Sequence, residues 1–406
     1  MFVIMKTLQL LLFSLSGLMF GQNIQSIQLF NPQTNDETPV IKMNETLVLS
    51  FDDLANTNQI YRYTIKHYDR NWEDDNLFFT EFANGSLNGL LDNFQYSFNT
   101  LQAYTHYKLV FPNDKIQPKI SGNFELIVYK DSAEKPLFKR RFYVVEDNAS
   151  VALDVSRFVD KNPNLNQRVE VQVISKGGDI TSNVNSLSMN VMQNNNPDMV
   201  IKNLKPSTTL GNKLLFQQLN IAFPGNNEFY YFDNKNMNMA ADMVRATEVK
   251  DGVNNTYLHP VWAYPLNYQY QPDVNGAWYY RRSDLGIERN AEREADYSWV
   301  YFSIDSDPMD KELYVLGGFN GFKPSKEYQM QYDEATKKYV ARIYLKQGFY
   351  NYILATKDAN GVLNLGEING NFWQTENLYQ GFLYYAPFGR NYDGLMGYGE
   401  FRTPVR

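Results

Sequence analysis

The chain has 406 residues, 43% of them hydrophobic and 20% charged, with a formal net charge of -7, which gives room for about two to four domains and excludes a disordered or collagen-like chain. The acidic balance and short basic runs argue against general nucleic-acid binding, which needs clustered Lys and Arg to neutralise phosphates. Cysteine is absent, so thiol nucleophiles, thiolate metal sites and disulfides are excluded, while 30 Tyr and 27 Phe against 5 Trp favour pleated, half-buried strands.

Residues 1–21 read as a signal peptide: Lys6 precedes the apolar run from Leu8 to Phe20, and Gly21 with Gln22 offers a small-residue cleavage site. A transmembrane anchor would need about 20 apolar residues, and no later segment is long and apolar enough for a membrane-spanning helix. A first unit is expected over residues 22–147. Leu47, Leu49 and Phe51 alternate with Val48 and Ser50, and Tyr61, Tyr63 and Ile65 alternate with Arg62, Thr64 and Lys66, which predicts one oily and one wet face. With the later runs at Phe94–Phe98, Tyr107–Phe111, Phe124–Tyr129 and Phe138–Val145, the spacing predicts an immunoglobulin-like sandwich.

A second sandwich-like unit is expected over 148–260, from the alternations Arg168–Ile174 and Leu187–Met192 and a late strand over Asn226–Asp233. Residues 261–296 read as an aromatic hairpin and connector, Tyr268–Tyr270 leading through Asn275-Gly276 into Trp278-Tyr279-Tyr280, with a short helical turn at Arg289–Ala295. The last unit, 297–406, opens with Tyr297–Ile304, passes through Glu312–Phe322 and ends in two aromatic strands around Asn391–Gly394. The fold class expected is all-β, as tandem immunoglobulin-like or early-set β-sandwich domains.

Catalytic chemistry finds little support. His67, His106 and His259 have neither metal-ligand spacing nor a hydrolase motif around them, and Gly317, Gly318 and Gly321 are not at dinucleotide-binding spacing. No enzyme, cofactor or metal site is expected. Asp305, Asp307 and Asp310, or Asp358 with Asn360 and Glu367, offer calcium-type oxygens, but the second set is explained by a hairpin turn. Glu73-Asp74-Asp75 reads as a solvated loop. Trp278, Tyr279 and Tyr280 are consecutive, so an alternating strand cannot bury all three on one face. At least one should face a partner or be covered by a neighbouring domain, so they are candidate partner-contacting aromatics, with Arg281 and Arg282 following and Phe322 as a further packing or docking ring.

Several segments together resemble the plug protein family of the type IX secretion system: Ile27-Gln-Leu-Phe-Asn-Pro32, Tyr61–Trp72, Ser121–Tyr129, Gln271-Pro-Asp-Val-Asn-Gly276 and Leu316-Gly-Gly-Phe-Asn-Gly-Phe322. The resemblance spans the mature chain. It implies a periplasmic β-domain protein that docks on a large outer-membrane β-barrel, the translocon, and closes its periplasmic mouth when no substrate is in transit. The last unit also resembles glycogen-binding early-set modules, which implies an alternative as an exported carbohydrate-binding protein. Phe322 stands where such modules often carry Trp, and Trp373 reads as a core-packing ring or, in the alternative, a platform. An outer-membrane barrel is not expected, since the end Thr-Pro-Val-Arg406 lacks a terminal aromatic strand.

Overall fold

Strands dominate the computed structural model, which describes residues 23–33, 39–159, 165–177, 179–262 and 267–404. The expected signal peptide lies outside the described residues. In the first sandwich one sheet has the order Ile24–Phe30, Leu47–Asp53, Thr105–Phe111, Phe94–Tyr96. The other runs Val40–Lys42, Phe138–Val145, Gly122–Tyr129, Tyr61–Tyr68, Gly89–Leu91. Period-two alternation turns Leu47, Leu49, Phe51, Tyr63 and Ile65 into one shared core. Rings fill it: Phe51 stacks on Tyr107 at 5.0 Å between centroids, and Phe124 on Phe142 at 5.2 Å.

The predicted wet face of Leu47–Asp53 is not wet. Every residue of that strand is buried, Ser50 and Asp52 included. The alternation holds, but the last sandwich covers the polar side, with Tyr280 on Ser50 and Lys346 on Asp52.

The next sandwich pairs Ala149–Arg157, Asn166–Ser175, Lys213–Phe216 and Thr208–Leu210 in one sheet, with Ala222–Pro224 also on Asn166–Ser175. Its facing sheet is Val200–Leu204, Leu187–Gln193, Leu378–Tyr385, Gly394–Arg402. The C-terminal aromatic strands, expected in the last unit, therefore complete the second one. Leu187 lies opposite Tyr385 and Gln193 opposite Tyr379, and the joint core holds Val171, Met189, Val191, Tyr379 and Leu383. Glycine makes this closure possible: a Cβ on Gly399 would stand 2.0 Å from the Val151 carbonyl oxygen.

The exchange runs both ways. Tyr230–Asp233, Val244–Lys250 and Val253–Leu258, expected in the second unit, join the last sheet, which also holds Gly348–Lys357, Glu312–Leu316, Gln329–Asp333, Lys338–Lys346 and Tyr297–Asp305. Sheet membership thus departs from the boundaries expected at 260 and 297, because periodicity reports a strand but not its distant partner. The expected hairpin over Tyr268–Tyr280 is also replaced. Asn275 and Gly276 do turn, with φ of 53° and 88°, but Trp278–Tyr280 then pairs with Gly348–Lys357. Trp278 stacks on Tyr350 at 5.5 Å, while the Tyr268 ring lies 5.8 Å from that of Phe372, so the two halves of the expected hairpin pack on different partners. The helical turn expected in the connector is present at Ala291–Glu294.

Candidate functional site

Where the first sandwich meets the last, the edge strand Ile24–Phe30, the strand Phe138–Val145 and the turn Gly318–Lys323 enclose a cavity of about 1250 Å³. All four sequence-predicted aromatics line it. Two of them are committed to the interior: Trp278 is 4% exposed, and Phe322, 3% exposed with a left-handed φ of 58°, packs edge-on against Phe229. Of the two expected uses, packing and docking, the burial of these two rings fits packing. Tyr279 is 40% exposed, and Tyr280 is partly buried with its hydroxyl 3.0 Å from Ser50 Oγ. Phe322 in that position has no free face for a sugar, and Trp373 carries the Arg157 guanidinium over its ring at 5.5 Å.

Arg140 projects beside this space. Its Nη1 donates to the Lys139 carbonyl at 3.0 Å, and its Nη2 reaches the Ile27 carbonyl at 3.4 Å on the opposite edge strand. Burial pulls its guanidinium down to about 10, opposed only by Tyr328. Among the described residues no carboxylate forms an ion pair with it. Its neighbours differ: Lys139 meets Glu125 at 3.0 Å, Lys323 meets Asp198 at 2.8 Å, and Arg141 lies over the Trp72 ring at 4.2 Å.

Behind the cavity, a buried polar cluster joins the first sandwich to the last. Lys346 Nζ donates to Asp52 Oδ2 at 2.7 Å, the Tyr297 hydroxyl donates to the same oxygen at 2.7 Å, and His106 Nδ1 lies 2.6 Å from Asp52 Oδ1. The Lys346 ammonium also sits 4.3 Å and 4.6 Å from the ring centres of Tyr104 and Tyr280. Burial pushes the Asp52 carboxyl up, but the Lys346 charge and the His106 hydrogen bond outweigh it and hold Asp52 below its ordinary value. Burial lowers Lys346 in turn, with Asp52 opposing. Asp52 and Lys346 are 294 positions apart, and nothing local in either strand announces the pairing.

A second cluster gathers acids. Glu228, 6% exposed, accepts from the Tyr268 hydroxyl at 2.5 Å and from the Glu376 amide at 3.1 Å on Oε1, while Oε2 meets no donor. Asp273 is its side-chain partner and accepts the amides of Phe229 at 2.6 Å and Asn275 at 2.8 Å. Burial pushes Glu228 up to about 8 and Asp273 to about 6, and it raises Glu376 as well. A bond between two carboxyl groups exists only when one holds a proton.

The remaining candidates are structural. His67 is fully buried, bonded to Asp75 and 3.2 Å from the Ser121 carbonyl. Asp75 is therefore not part of a solvated loop as expected, since the buried imidazole draws it in; Asp74 reaches Lys66 instead. Asp358 accepts the amides of Asn360 at 2.9 Å and Val362 at 2.8 Å, capping its own turn, and Glu367 pairs with Lys311 at 2.6 Å. Among the described residues, no group of three His, Cys, Asp or Glu side chains converges as a metal site, and no helix is long and apolar enough to cross a membrane.

Residues 24–146 match the family model of the type 9 secretion system plug protein 1st domain. A crystal structure of a hypothetical protein from Parabacteroides merdae ATCC 43184 is similar over 94% of this chain and 97% of that chain, at 29% identity and a TM-score of 0.88. Dimeric latent PorU from Porphyromonas gingivalis aligns with 95% of this chain and 34% of its own at 10% identity, but a TM-score of 0.14 carries no argument. None of the curated proteins matches the sequence. The first sandwich, whose Tyr61–Trp72 and Ser121–Tyr129 segments carry part of the sequence resemblance, is therefore similar to the first domain of type 9 secretion system plug proteins, over residues 24–146 of this chain.

Proposed function

We propose that the protein is a non-enzymatic periplasmic component of the type IX secretion system that docks on the periplasmic mouth of the large outer-membrane β-barrel translocon and occludes it when no substrate is in transit. The family match of the first sandwich carries this reading. Physics suits the role. A wide water-filled pore leaks solutes, and covering it takes a stiff body with a large complementary surface rather than a reactive group. The ion pair between Asp52 and Lys346 would make the first and last sandwiches act as one such body. Tyr279 is the exposed member of the aromatic run and the residue we assign to partner contact.

The test is co-purification. Tagged translocon barrel taken from membranes of cells that are not secreting should bring this protein with it at near-equal amounts, and a barrel that comes down without it would refute the docking. Deleting the gene should raise uptake of a large antibiotic across the outer membrane; unchanged uptake would refute occlusion.

A further inference from the structure

The cavity has the features of a receptor for extended polypeptide, independently of the secretion role. Edge strands are normally blunted by charge, proline or a covering element, because their unpaired backbone groups invite another strand. Ile24–Phe30, Ile-Gln-Ser-Ile-Gln-Leu-Phe, carries no charged residue and no proline. Among the described residues it pairs with Leu47–Asp53 alone, so its outer edge has no strand partner there, and the Arg140 guanidinium reaches the Ile27 carbonyl at 3.4 Å. All seven of its residues line the cavity. Across the space, among the described residues, Val40–Lys42 pairs with Tyr143–Val145, and residues 138–142 have no strand on the side away from Gly122–Tyr129. A volume of about 1250 Å³ exceeds the roughly 300–1,000 Å³ usual for small-molecule pockets.

Charge selects the guest. The other cations on the walls are engaged by Glu125, Asp198 or, at 4.2 Å, the Trp72 ring, whereas Arg140 meets two backbone carbonyls and, at the longer distance of 5.7 Å, the Phe138 ring, and no carboxylate pairs with it among the described residues. A planar guanidinium of this kind receives a carboxylate in two parallel hydrogen bonds. We propose that the cavity binds an extended, acidic polypeptide segment, which adds its backbone to the outer edge of Ile24–Phe30 and sets a carboxylate on Arg140. Backbone pairing supplies affinity, and the carboxylate fixes the register.

The test uses the full chain and nonapeptides of alternating Thr and Val that carry one Glu, placed at each position in turn, with Gln counterparts. The best Glu peptide should bind at least about tenfold more tightly than its Gln partner, as expected for a charge-assisted bond, and Arg140→Gln should erase that difference. In the unmodified protein, the same peptide should slow amide hydrogen exchange at residues 25–29, a readout that needs no variant to fold. The proposal is overturned if Glu and Gln peptides bind alike, if no peptide binds, or if exchange at residues 25–29 does not change. It is overturned equally if glutarate or inorganic phosphate alone gives the full protection, which would make the site one for small anions.

Discussion

Two buried polar clusters, one around Asp52 and one around Glu228, solve the same problem in opposite ways. Around Asp52 the acid is matched: one ammonium, one imidazole and one phenol converge on a single carboxylate, all from strands. Around Glu228 three carboxyl groups gather, and among the described residues the one ion pair they make is that of Glu376 with Arg402, whose Nη1 is 4.0 Å away. The first keeps its charge in the interior because opposite charge and hydrogen bonds offset desolvation. The second keeps a proton instead. A matched cluster depends on both of its partners, whereas a proton-sharing cluster depends on pH.

Removing one member of the matched cluster has the largest expected effect. Asp52→Asn leaves the Lys346 ammonium buried without a counter-charge and should cost about 3–5 kcal/mol in urea unfolding. Replacing both, with Asp52→Leu and Lys346→Met, should recover most of that loss. A single-variant cost below about 1 kcal/mol would mean that the pair is exposed to water in solution.

The acid cluster gives an effect of opposite sign. Glu228 has its folded value raised from 4.5 to about 8, so its stabilising contribution is full below 4.5 and is lost as pH rises through about 8. The unmodified protein should therefore lose stability between those values, and Glu228→Gln, whose amide donates to Asp273 without a titrating proton, should flatten the curve. At pH 8 the variant should be more stable by on the order of 2 kcal/mol. Parallel thermal-unfolding curves for the two proteins across this range would contradict the shared proton.

The smallest change tests the edge of the matched cluster. Tyr280→Phe removes one hydroxyl bond to Ser50 and leaves the ring over Lys346. It should cost about 1 kcal/mol, measured by the urea midpoint. A loss as large as that of Asp52→Asn would show that the hydroxyl, rather than the ion pair, holds the joint.

Much of the fold was legible because strand chemistry is local. Leu47–Phe51, Tyr61–Ile65 and Arg168–Ile174 announce themselves by alternation, and Asp358–Gly361 announces its turn. The site was legible only in part. Consecutive aromatics at Trp278–Tyr280 drew attention to the segment that lines the cavity, but not to Arg140, which reads as an ordinary strand cation within Lys139-Arg140-Arg141.

By itself, the sequence determined that this is a cysteine-free, all-β chain and where most strands run, since composition and period-two patterning act residue by residue. Tertiary structure alone decided that Leu378–Arg402 closes the second sandwich, that the polar face of Leu47–Asp53 is buried, and that Asp52 meets Lys346. Those outcomes depend on which distant surfaces exclude water from one another, and a pattern with a reach of a few residues carries no record of a contact made hundreds of positions away.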